Sequence, residues 1–157
     1  MRPQRVFMRL AIKEARKNLL TLEGGPFGAC IVKGGRVIAV GRNAVLVSDA
    51  TSHAEVNAIR IASKRLKDFD LSGCVIYSTT EPCPMCFSAI HWARLDTVIY
   101  GTTIADAKKL GFNELGISAR KMRAVGRSRV KIVSGFERRS CLRLMKDWDK
   151  SEGKRIY

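Results

Sequence analysis

The sequence predicts an α/β domain of three layers, with helices covering both faces of a central sheet. Two observations carry that fold class. Short apolar runs that read as strands alternate along the chain with segments of helical periodicity. No repeat, low-complexity stretch or linker divides the 157 residues, a length suited to one domain with its own core. Residues 1–157 are therefore read as a single domain.

Phe7, Leu10, Ala11, Ala15, Leu19 and Leu22 recur at helical spacing opposite Arg5, Arg9, Lys13, Arg16 and Lys17, the pattern of an amphipathic first helix. "GGPFG" ends it. "ACIVK" and "RVIAVG" flank Gly34 and Gly35 and predict a β-hairpin with a tight turn. After a polar loop, Thr51 or Ser52 is placed to cap a second helix running through the upper sixties, with Val56, Ile59 and Leu66 inward. "CVIYST" reads as a buried strand, and Cys83 to Arg94 as a third helix whose early prolines suit its first turn. "TVIYG" is the next strand. Gly111 to Gly126 reads as irregular with room for one helix, "RVKIVSG" as a last strand, and Glu137 to Lys150 as a closing helix.

A hydrophobic fraction of 46% and a charged fraction of 27% are those of a soluble globular protein. No apolar run approaches the roughly eighteen residues of a membrane span. The opening stretch mixes charge through its apolar residues and has no signal-peptide core, so the expected location is the cytoplasm. Five cysteines, an odd number in no dense framework, argue for a reducing compartment. Cys30, Cys74 and Cys141 read as small buried hydrophobes. The net charge of +15 and pI near 10.2 raise a nucleic-acid partner. The excess sits late, from Arg120 to Arg143, with few aromatics interleaved to stack on bases.

Two segments carry chemistry. "TSHAEVNAIR" holds His53, one of only two histidines, followed closely by Glu55; "EPCPMC" holds Cys83 and Cys86. Both lie where a strand or loop meets the first turn of a helix. Cys83 and Cys86 share one side of their turn, and the helix N-terminus favours thiolate, the form that binds metal. One His and two Cys are three ligands, the count of a catalytic zinc site that leaves a fourth place open, whereas a structural site closes with four. His91 lies well round the helix from both sulfurs. Glu55 is placed beside the metal, where a carboxylate can carry a proton from water to a leaving group. H-x-E followed by P-C-x-x-C is the signature of zinc-dependent deaminases.

On these residues the chain resembles the cytidine-deaminase-like superfamily, a fold with a central mixed sheet, and within it the bacterial-type guanine deaminases. The likeness is densest in "GGPFGACIVK", "HAEVNAIR" and "EPCPMCFSAIHWAR". It implies Zn2+ held by His53, Cys83 and Cys86, with Glu55 as proton shuttle. It further implies a substrate pocket built from Phe27, Asn43, Trp92, Glu114 and Tyr157. Asn43 matches an asparagine that hydrogen-bonds the ring edge, and Phe27 an aromatic wall of the base pocket. Glu114, in "GFNE", matches the acid that suits the ring N–H donors of guanine. Tyr157 matches a tyrosine that closes over the partner's active site in a swapped homodimer. The implied reaction is hydrolysis of guanine, a small-molecule purine, to xanthine and ammonia.

The departures are Glu instead of Asp at 114, a shorter "SDATS", the basic stretch, and His91 in place of a tyrosine. A second reading, deamination of adenosine in a tRNA loop, draws on the charge and is opposed by Phe27, Glu114 and Tyr157. Deamination of cytosine or guanosine also stays open. A binding protein with purely structural zinc is opposed by Glu55 and by the missing fourth ligand.

Overall fold

The computed structural model describes residues 2–157. β1 (Gly28–Lys33) and β2 (Arg36–Arg42) pair antiparallel. Gly34 and Gly35 join them with φ of +55° and +78°, the left-handed pair that a two-residue turn between twisted strands requires. β3 (Cys74–Thr80) runs antiparallel to β1, and β4 (Thr97–Thr102) and β5 (Lys131–Val133) continue parallel to β3. The order β2-β1-β3-β4-β5 makes one mixed sheet.

Alternation along these strands splits the core in two. Ile31, Ile76 and Val98 face α3 (Ala54–Leu66), α4 (Pro84–Trp92) and α6 (Ala119–Val125), meeting Ala58, Ala62, Phe87 and Ile90. Val32, Val75, Tyr77 and Ile99 face the other way, onto Phe7, Met8 and Ala11 of α1 (Arg5–Arg16) and Cys141 of α7 (Arg138–Asp149). β3 is buried at every position because both its faces are covered. The three-layer α/β/α arrangement expected from the sequence is present.

Several boundaries differ from the expectation. The first helix stops at Arg16, and a short α2 (Asn18–Thr21) ends at Leu22 in the left-handed region. Neither Thr51 nor Ser52 caps α3; His53 holds the N-cap position, while Thr51 bonds back to Asp49. α5 (Ile104–Lys109) was not anticipated, since its few residues carry no apolar stripe. A capping box between Thr103 and Asp106 starts it, and Arg138 pairs with Asp106.

The buried face of α3 is Ala54, Ala58 and Ala62, so its backbone lies close against β2. A Cβ on Gly41 would stand 2.7 Å from Ala58 N and 2.8 Å from Ala54 O. These are backbone atoms and cannot swing aside. Gly41→Ala is therefore expected to lower stability by about 1–3 kcal/mol in urea denaturation. An unchanged midpoint would show that α3 is not seated this tightly.

Candidate active site

α3 and α4 begin at the same point in space, each with a metal-binding side chain at its N-cap. His53 and Cys83 both have extended backbone there, and neither side chain caps its own helix, which leaves both free to turn inward. Pro84 follows at the first helical position, where its missing N–H is no loss. Cys86 lies one turn on, fully buried. His53 Nδ1 is 3.7 Å from Cys83 Sγ and 3.5 Å from Cys86 Sγ, and the three ligating atoms all lie within 4.8 Å of one another.

These separations fit zinc. Nitrogen at roughly 2.0 Å and sulfur at about 2.3 Å from a tetrahedral ion stand about 3.5 Å apart. The thiol chemistry fits too: the hydrogen bond from Cys86 lowers Cys83 to about 4, against burial and with help from His53. Among the described residues no fourth His, Cys, Asp or Glu completes the cluster. The other histidine, His91, is exposed, and its Nδ1 is 2.9 Å from Ser128 Oγ.

Glu55 is buried on the first turn of α3, where Ser78 Oγ donates to its Oε1 at 2.9 Å. Burial raises its carboxyl above the ordinary range, against the pull of His53. Such a group exchanges protons more readily near neutrality than an exposed glutamate. Phe27, His53, Glu55, Thr80, Glu81, Cys83 and Glu114 enclose a cavity of about 20 Å³. Burial, reinforced by the negative charge of Cys83, lifts Glu114 to about 7. Phe27 packs edge-on against Phe112 with ring centroids 4.9 Å apart.

Asn43 is tied to Phe27 by its backbone N–H, 3.0 Å from Phe27 O. Its Oδ1 accepts from Val45 N–H at 3.2 Å and from Tyr157 Oη at 2.6 Å. The Val45 donor settles the amide orientation, leaving Nδ2 buried with no acceptor. Tyr157 reaches this site within its own chain. Its Oη also accepts from Gly25 N–H at 3.0 Å, and its ring lies 5.4 Å from Phe112. The expected exchange between subunits is not needed for that contact.

Trp92 departs from the expectation. It is 77% exposed, in neither the cavity nor the core, and lines a separate cleft with Met122 and Ser128. Six residues beyond Cys86, it is turned by about 240° round the helix from that sulfur.

Two positions escaped sequence reasoning. Glu81 accepts from Ala119 N–H at 3.0 Å, Ile104 N–H at 3.2 Å and Tyr100 Oη at 3.3 Å, so one carboxylate ties the Cys83 loop to the starts of α5 and α6. Asn18, fully buried, donates to Gly25 O at 2.9 Å and Asn43 O at 2.8 Å, clamping the loops of Phe27 and Asn43. An acid beside the prolines of "EPCP" was a faint signal for the first. A lone asparagine in a helical stretch was none for the second.

A cluster of one imidazole and two thiolates, with a buried carboxyl alongside on a mixed α/β/α sheet, defines a zinc-dependent deaminase. Residues 1–102 match the cytidine and deoxycytidylate deaminase zinc-binding region, and the chain belongs to that family. It is 47% identical over 109 residues to guanine deaminase of Bacillus subtilis (strain 168), across 69% of this chain and 70% of that protein. It is 30% identical over 150 residues to the tRNA-specific adenosine deaminase of Buchnera aphidicola subsp. Schizaphis graminum (strain Sg), across 93% of each. The solved guanine deaminase from Nitrosomonas europaea superposes with a TM-score of 0.85 at 25% identity, covering 95% of this chain and 86% of that one.

Metal analysis of purified protein is expected to give about one zinc per chain. Cys83→Ala should lose both metal and activity. Glu55→Ala should keep the metal while turnover falls by about a hundredfold or more. Near-normal turnover in Glu55→Ala would remove it from the reaction.

Proposed function

We propose that this enzyme hydrolyses guanine to xanthine and ammonia. The observation that carries the choice of base is Glu114 in the same cavity as Glu55, walled by Phe27. Guanine presents N–H donors along its ring edge, and a carboxylate accepts them. The unpartnered Nδ2 of Asn43 offers the complementary donor to a ring acceptor. The likeness to two guanine deaminases supports the same base.

Zinc, when bound by His53, Cys83 and Cys86, supplies the Lewis acidity that makes water a nucleophile near neutral pH. Glu55 accepts a proton from the attacking water as its oxygen bonds to C2. Glu55 passes that proton to the ring nitrogen. It then takes the second proton from the hydroxyl now on C2 and delivers it to the amine, so that the C2–N bond breaks as the C2 carbonyl forms and ammonia is released. Ser78 holds the Glu55 carboxyl in place through these transfers. Phe27, backed by Phe112, confines the plane of the base. Tyr157 fixes the Asn43 amide from the oxygen side, so that its N–H groups are directed away from Val45. A cavity of about 20 Å³ holds a water or two, not a bicyclic base, so Phe27 or the Tyr157 tail must shift to admit substrate.

We extend the proposal to a cytoplasmic homodimer, for which all five cysteines being free suits a reducing compartment. No helix among the described residues is long and apolar enough to cross a membrane. The tRNA reading rests on relatives such as the Buchnera enzyme and on the basic charge. An ammonia-release assay against guanine, guanosine, cytosine and an anticodon stem-loop separates these substrates. Guanine should be turned over, with Asn43→Ala and Glu114→Ala both reduced by about a hundredfold or more. An inert guanine with an edited stem-loop would overturn the proposal.

The Glu114 environment adds a pH limb. Burial and the negative charge of Cys83 raise its pKa to about 7, so below that pH the protonated form keeps only one acceptor oxygen and presents an O–H to the N–H donors of guanine. kcat/KM should therefore rise with pH through about 7, and Glu114→Gln should be low and lack that step. Mixing tail-deleted chains with Glu55→Ala chains tests where Tyr157 acts. Action within one chain leaves the mixture inactive. Recovered activity would mean that tails are exchanged between subunits.

A further inference from the structure

Deamination needs Asn43 and the metal ligands at a fixed separation, because a base held by Asn43 must present C2 beside Glu55. Three bonds fix Asn43 on the substrate side. Its backbone N–H donates to Phe27 O, its carbonyl accepts from Asn18, and its Oδ1 accepts from Tyr157. These join it to the segments around the base. None of them reaches α3, which carries His53 and Glu55.

The tie to α3 runs through Asn57. One turn into the helix, its backbone N–H donates to His53 O at 2.9 Å, the bond that starts α3 from its N-cap. Four residues past His53, its side chain lies on the same face of the helix. There Nδ2 donates to Arg42 O at 2.9 Å and to Ser52 Oγ at 3.0 Å. Arg42 O can only accept, which settles the amide orientation, and Oδ1 accepts from Arg60 at 3.3 Å. Arg42 directly precedes Asn43, and Ser52 directly precedes His53. One half-buried amide therefore joins the neighbour of the substrate amide to the neighbour of the metal ligand. The same segments meet again where Ala44 N–H donates to Ser52 O at 2.9 Å, and Asn57 Nδ2 stands 3.3 Å from that oxygen. Asparagine is less favourable than alanine inside a helix, so α3 by itself gives no reason for an amide here.

We propose that Asn57 is a positioning residue for deamination, holding Asn43 at a fixed distance from His53. It lines neither the cavity nor the metal cluster, so it acts through Asn43. Without its amide, the end of β2 can drift from the start of α3, and the base falls out of register with Glu55. The inference rests on the reading of Asn43 as the residue that holds the base.

The test is a double-mutant cycle on guanine turnover by the zinc-loaded protein, with zinc content and thermal midpoint measured for every variant. Asn57→Ala should keep about one zinc per chain while kcat/KM falls about tenfold or more. Asn57→Asp keeps the size of the side chain but turns an oxygen towards Arg42 O, and it should fall as far. It also completes the cycle if Asn57→Ala does not fold. In an Asn43→Ala background either change should alter kcat/KM by less than about twofold, because the amide it positions is gone. A merely structural role would lower the thermal midpoint and multiply in full with Asn43→Ala. Near-normal turnover in both Asn57 variants, losses that multiply in full, or loss of zinc would overturn the role of Asn57. A strong effect of Asn43→Ala would then leave the choice of base standing. Normal guanine turnover in Asn43→Ala would instead remove the reading of Asn43, and this role for Asn57 with it.

Discussion

Two helices are required to start at one point, and the rest of the molecule serves that requirement. α3 brings His53 and Glu55, α4 brings Cys83 and Cys86, and the parallel run of β3 into α4 sets the height at which they meet. Burying this group without a cation is unfavourable. The charge of Cys83 helps to raise the protonation of Glu55 and Glu114, which shows how closely the negative groups crowd. A divalent cation turns the same crowding into attraction, while the N–H groups at the two helix starts favour the thiolate form of its ligands. Metal and fold are therefore mutually dependent at this point.

Around that junction the structure divides into rigid and closing parts. The alanine face of α3 and the absence of a Cβ at Gly41 hold the metal-binding helices on the sheet. Glu81 and Asn18 then fasten loops that carry no regular structure of their own, each spending a buried polar group on several backbone partners. The roof is Tyr157, held by hydrogen bonds with Gly25, Asn43 and Asn113 and by one aromatic contact with Phe112. Rigid support for the metal and a cover that opens to the base are what the proposed reaction requires, since water must be excluded only while it proceeds.

What was legible in the sequence follows from what is local. "HAE" and "PCPMC" declare the metal cluster because ligand chemistry restricts residue type and because each sits at a helix start, a local signal. The hairpin at Gly34 and Gly35 was readable for a similar reason, since left-handed φ at both turn positions favours glycine. Tertiary facts were not readable. Trp92 matches a family pattern, but only the helical phase of α4 and its packing on α6 reveal that it lies in the open, beyond the cavity. α5 was hidden because a capping box and an ion pair to Arg138, not an apolar stripe, hold it. The closure by Tyr157 depends on a contact between chain positions 114 residues apart.

Everything built around this junction depends on a three-ligand zinc site with one place left for the reacting molecule. X-ray absorption at the zinc edge of the loaded protein reads out that ligand set. Two sulfur and one imidazole nitrogen scatterers are expected at about 2.3 and 2.0 Å, with one further light atom. In Cys86→Ser one sulfur should be lost. A fourth protein ligand, or a shell unchanged by that substitution, would rule out the three-ligand site.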